Sequence, residues 1–106
     1  LAVITKNGLW IRDKFNGKTL VINSSKIDGN YLIGTFITEF DSNYNVNRNI
    51  KSSKIDVSDK KWLIYDAKVY HKNYYDNKSY LELNTNLYRL QLPEELKERY
   101  LNSFII

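Results

Sequence analysis

The sequence contains no cysteine and a single histidine, His71. The first absence removes both a disulfide framework and a thiolate zinc site. The second leaves no partner with which an imidazole or thiolate completes a nucleophile–base couple. His71 lies in a strand-like run beside Lys72, where a lone histidine reads as a surface residue. Glycine is sparse too: Gly8, Gly17, Gly29 and Gly34 stand singly, without the clustering that cradles a phosphate. Asp56, Asp59 and Asp66 fall at turns and strand ends, which suit capping and solvation better than paired acid–base work. The residues predict a protein with no catalytic group, cofactor or metal.

Long apolar runs are also missing; none approaches the about 18 residues of a membrane helix. No signal-peptide pattern precedes the first strand. The chain opens on Leu1 and ends on the apolar "NSFII", so both ends are expected to be cut from a longer polypeptide. Its 106 residues form a single expected domain, 1–106. A chain of that size buries roughly two-thirds of its unfolded surface, enough for one modest core. The net charge of +4 favours anionic partners mildly. The lysines are spread along the chain and matched by twelve acids, so no basic strip emerges.

What is abundant is strand texture. Apolar and polar residues alternate over short runs separated by turn residues, as in a sandwich or open barrel. "GLWIRD" sets Leu9 and Ile11 on one face, Trp10 and Arg12 on the other. Asn16-Gly17 tolerates the positive φ of a tight hairpin, and "TLVINS" follows as the second strand. After Asp28-Gly29, "YLIGTFITEF" is apolar on both faces, which calls for burial on both sides or for a bulge. Residues 46–57 are more hydrophilic, which suggests an edge or a solvent-facing position, and the edge is the expectation. "KKWLIYDAKVYHKN", residues 60–73, reads as a fifth strand, and "SYLELNTNLY" as a sixth. In the tail, Pro93 is placed as a first helical residue. Leu92, Leu96, Tyr100 and Phe104 follow at four-residue spacing, so one short amphipathic C-terminal helix is expected.

Nine tyrosines on a basic β domain raise a second reading, an OB-type barrel that stacks single-stranded nucleic acid on exposed rings. The plainer explanation, and the weightier one, is that tyrosine favours half-buried strand positions with its hydroxyl wet. A third reading is a β-sandwich that joins partners by strand addition.

Three phrases together resemble the periplasmic domain of the LptF/LptG lipopolysaccharide-export permeases. Gly8, Trp10, Arg12 and Asp13 match the strand that opens the family's domain. Gly34, Ile37, Glu39, Phe40 and Asp41 match its "G-x-x-I-x-E-F-D" strand, and Trp62, Ile64, Asp66 and Ala67 its "W-x-L-x-D-A" strand. "LNTNL", residues 83–87, is similar to the closing segment. Ser52 or Ser53 stands where the family usually has alanine. The likeness spans about residues 7–90 and leans towards the LptG half.

The resemblance implies an all-β fold, a β-jellyroll built as an open, V-shaped sandwich on the periplasmic side of an inner-membrane protein. Both chain ends would run to the membrane from one end of the domain. It implies lipopolysaccharide as the ligand, and LptC- and LptA-type jellyrolls and the paired permease as neighbours. A cytoplasmic ATPase would act through the full-length protein, and nucleic acid would be no partner. Shielding matters because an acyl chain leaving a bilayer loses about 0.8 kcal/mol per exposed methylene. Apolar inner residues look the same in an open trough and in a closed core; the likeness favours the trough. Its expected lining is Trp10, Ile22, Ile37, Phe40, Trp62, Ile64, Leu81 and Leu83. Alternation from Trp62 and Ile64 carries Lys68 inward to the mouth of the V, unless the strand bulges at Asp66-Ala67 and turns Val69 inward instead.

Overall fold

The computed structural model describes residues 2–87. The expected C-terminal helix falls outside the described residues, as do Leu1 and Ile106. Seven strands follow one another: β1 (Ala2–Thr5), β2 (Gly8–Phe15), β3 (Lys18–Asp28), β4 (Tyr31–Phe40), β5 (Val46–Asp56), β6 (Lys61–His71) and β7 (Tyr75–Asn84). Each pairs antiparallel with the next, giving one all-β sheet in chain order. The turns obey local chemistry. Asn16 and Gly17 take φ of 50° and 76° between the paired Phe15 and Lys18, which matches the twist of a two-residue hairpin. The Asp41 carboxylate accepts from the Asn43 and Asn45 amides at 2.8 and 2.9 Å and closes the β4–β5 turn.

The sheet is doubled over along a line that crosses its strands. The β3–β4 ladder skips one pair, Ser25 with Gly34, between its partners Ser24–Thr35 and Lys26–Ile33. At the same level β4–β5 skips Gly34 with Ser53, and β6–β7 skips Asp66 with Ser79. The β5–β6 ladder is interrupted there as well, between Lys51–Lys68 and Lys54–Tyr65. Gly34 and Asp66 both have positive φ, 58° and 48°. No residue is inserted, yet the inward–outward alternation inverts. Along β6, Trp62 and Ile64 are buried before the line and Ala67 and Val69 after it. Along β5, Ile50 and Ser52 give way to Ile55. The crease explains the two apolar faces of β4: Leu32 is inward below Gly34 and Ile37 above it, which leaves Phe36 outside.

Serine hydroxyls stitch the crease. Ser24 Oγ donates towards the Lys26 and Ile33 carbonyls at 2.9 and 2.8 Å. Two strands on, Ser52 Oγ does the same for Lys54 and Tyr65, at 2.9 and 2.5 Å. Both side chains are buried, and a stranded buried carbonyl would cost about 1–3 kcal/mol. The inward row beside the line is Ser24, Thr35, Ser52 and Ala67, each opposite the next or flanking the interruption. Only small side chains fit the inside of so sharp a bend.

The crease brings two halves of one sheet face to face. Ile22, Ile37, Ile50 and Val69 from the longer half pack in one core with Leu32, Ile55, Trp62, Ile64 and Leu83 from the shorter. Away from the crease the rims meet. The Asn86 amide donates to Asp13 Oδ2 at 3.1 Å, and the Asn86 side-chain amide donates to the Lys14 carbonyl. Ala2 lies opposite Ile11, so the first described residue and Asn86 both adjoin β2.

Three expectations need correction. Residues 46–57 are not an edge: β5 lies between β4 and β6, and β1 and β7 are the outer strands of the described sheet. Most of the hydrophilic residues that suggested an edge, Asn47, Lys51, Ser53 and Lys54 among them, belong to its outward face. Lys68 is exposed, because the inversion at Asp66 turns Ala67 and Val69 inward; the alternative of Val69 inward holds, though without the bulge expected to produce it. Trp10 is not inward. β2 begins at the crease, so Leu9 points into the core beside Ser24, and alternation puts Trp10 outside.

Gly8 and Gly34 are held by the bend itself. A Cβ on Gly8, at φ 109°, would come within 2.3 Å of the Ser24 carbonyl oxygen, and one on Gly34 within 2.4 Å of Ser25 Oγ. The neighbour of Gly8 is backbone inside the stitched crease; that of Gly34 is a side chain that can turn away. Gly8→Ala should therefore destabilise more than Gly34→Ala, the latter costing about 1–2 kcal/mol from the left-handed backbone alone. Ser52→Ala should cost about 1–3 kcal/mol. Urea unfolding midpoints of the three variants check the order.

Candidate functional site

The residues expected to line a trough divide by position. Ile22, Ile37, Trp62 and Ile64 are wholly buried and Leu83 nearly so. They come from four different strands, and the doubling of the sheet brings them together. Leu81 is half-buried and packs against this cluster. Phe40 is half-buried beyond a register shift at Glu39/Phe40, opposite Thr19 and Val46, and stands apart from the cluster. Trp10 is on the other side of the sheet. Among the described residues, the inner side chains pack against one another in one cluster. Leu9, Leu20, Leu32, Ile50 and Ile55 belong to it and were not singled out from the sequence, although Leu20 shares a strand face with Ile22.

Charge sits at the rim of the doubled sheet. Glu39, almost fully buried, accepts from Arg48 Nε and Nη2 at 3.2 Å each, a two-point pairing. Leu20, Glu39 and Arg48 from the longer half border one depression with Glu82, Leu83 and Asn84 from the shorter. The Trp62 indole N–H is buried without an acceptor among the described residues.

The outer side of the crease is a groove. Gly34 has no side chain there, and Ser25, Ser53 and Asp66 are short and exposed. The groove encloses about 590 Å³ and is flanked by Phe36, Lys51 and Lys68. Phe36, 43% exposed, is opposite Lys51, and Lys51 is opposite Lys68. Thr35 borders the groove from the inward row, and its hydroxyl is buried with no partner among the described residues.

The chain matches no known family model and no curated protein.

Lys14 Nζ, on β2, lies 3.4 Å from the hydroxyl of Tyr44 on the β4–β5 turn. Its hydrogen bond and positive charge pull the exposed phenol below its ordinary pKa, with a smaller contribution from Arg12. Lys14→Gln should move that ionisation back up towards about 10. Titration of phenolate absorbance in the two proteins checks the direction.

The two tryptophans report the two faces of the sheet. Trp62→Ala should cost about 3–5 kcal/mol, while Trp10→Ala, away from the core, should stay within about 0.5 kcal/mol. A Trp62→Phe protein should emit as exposed indole, quenched readily by acrylamide. A Trp10→Phe protein should resist the quencher.

Proposed function

We propose that this chain is the periplasmic β-domain of a lipopolysaccharide-export permease of the LptF/LptG kind. In this reading the doubled sheet is the V-shaped jellyroll the resemblance implies. Its inner face shields acyl chains, and its outer strands pair with neighbouring jellyrolls. The observation that carries the proposal is where the matched residues sit. Gly8, Gly34 and Asp66 adopt positive φ, the latter two at the crease. Ile37, Trp62, Ile64 and Ala67 line the inside of the fold. Glu39 holds Arg48, Asp13 receives Asn86, and Asp41 closes a turn. The shared phrases thus coincide with the physical requirements of a creased sheet, which supports reading the likeness as one of fold.

The inner face also has the right chemistry. It is apolar over both halves, and each methylene kept from water there saves about 0.8 kcal/mol. In the closed state its side chains occupy that space, so lipid entry requires the halves to part at the rim, where Asn86 bonds β2. The packed interior also favours a second reading, a purely structural link that joins partners by its outer strands.

Photo-crosslinking in the full-length permease separates the two. Probes at positions 62 and 64 should trap lipopolysaccharide in energised membranes, and probes at 63 and 65 should not. Trapping at 63 and 65 alone would overturn the inner-face assignment. If none of the four traps lipid while export continues, the domain is a structural link.

A further inference from the structure

One pairing on the outer face works against the sheet. Lys51 and Lys68 are direct cross-strand neighbours on β5 and β6, both exposed. Like charges in that relation destabilise a sheet. Among the described residues neither has an ion-pair partner to offset the repulsion. Asp66 borders the same groove without bridging to either. Beside this pair lies the exposed Phe36 ring, and the row continues across Asn23 to the exposed Trp10. A doubled positive charge thus stands at one end of a row that carries two exposed aromatic rings, above a trench floored by Gly34.

We infer that this outer groove binds a single-chain amphiphile with a phosphate headgroup. Lys51 and Lys68 take the anion from two sides; the bare backbone at Gly34, the Phe36 ring and the lysine stems take the chain. The volume of about 590 Å³ lies within the about 300–1,000 Å³ usual for small-molecule sites. A peptide fits less well. β4, β5 and β6 are each paired on both sides, so the groove offers no strand edge, and serine hydroxyls occupy carbonyls at the crease. The site is on the opposite side of the sheet from the proposed acyl shield and does not depend on it.

The test is titration of the 106-residue chain with dodecyl phosphate below its micelle concentration, followed by Trp10 fluorescence and amide chemical shifts. Dodecyl maltoside, inorganic phosphate and an acidic, phenylalanine-containing peptide serve as comparators. Dodecyl phosphate should saturate and move the amides of residues 34–36, 51–53 and 66–68. A Lys51→Gln, Lys68→Gln protein, unchanged in circular dichroism, should bind at least tenfold more weakly, as should Phe36→Ser. Equal binding by that double variant, or of the maltoside, would overturn the site. So would full shifts with inorganic phosphate alone, or binding of the peptide in place of the alkyl phosphate. Shifts confined to residues 22, 37 and 64 would also overturn it and would direct the amphiphile to the interior instead.

Discussion

Two serine hydroxyls hold this fold in shape. A β-sheet doubled across its strands must break its own ladder at the bend, leaving buried carbonyls without their regular partners. Ser24 and Ser52 supply donors at that level, on β3 and β5, and each reaches carbonyls on its own and the next strand. Between them Gly34 takes a backbone conformation that side chains resist, and Asp66 takes a similar one on β6. The inversion of alternation follows from these few residues. With it comes the facing of the two halves, and so the existence of a core.

The same bend produces opposite surfaces. On the inside, side chains converge and only serine, threonine and alanine fit beside the line. On the outside they diverge, which opens the trench bordered by Phe36, Lys51 and Lys68. Interior and trench are therefore separated by the thickness of one sheet, with Thr35 and Ser52 buried between them. A change of bend angle would alter both together.

Much of this was legible in the sequence, where the signal lies along a single strand. Asn16-Gly17 declared its hairpin, and the family likeness chose for Ile22, Ile37, Trp62 and Ile64 the strand face that the structure buries. β4 carried a partial warning: apolar residues on both faces called for burial on both sides or for a bulge, and the strand instead inverts at Gly34. The crease itself was not legible, because it is a relation between strands. Only the register shows Ser25, Gly34, Ser53 and Asp66 to be level with one another. Trp10 was misplaced for a related reason: its phase is set by the distance of β2 from the bend, not by the spacing that placed Trp62. The hydrophilicity of β5 suggested an edge, but on a one-sided sheet it marks the wet face. The outer groove had no signal in any single strand, since Phe36, Lys51 and Lys68 meet only across the ladder.

The serial pairing of the strands has a kinetic consequence. Every strand lies beside its neighbour in the chain, so each pairing is closed by a short turn and none waits for a distant segment. Loop-closure entropy is small at every step, and assembly can begin at whichever hairpin forms first and spread to both sides. Such a sheet grows much as a stack of repeats does, by nearest-neighbour addition. Only the last event is global: the rims meet at Asn86 once enough strands span the bend to bring them into register. That makes the closing contact a late one, to be gained or lost without unzipping the strands.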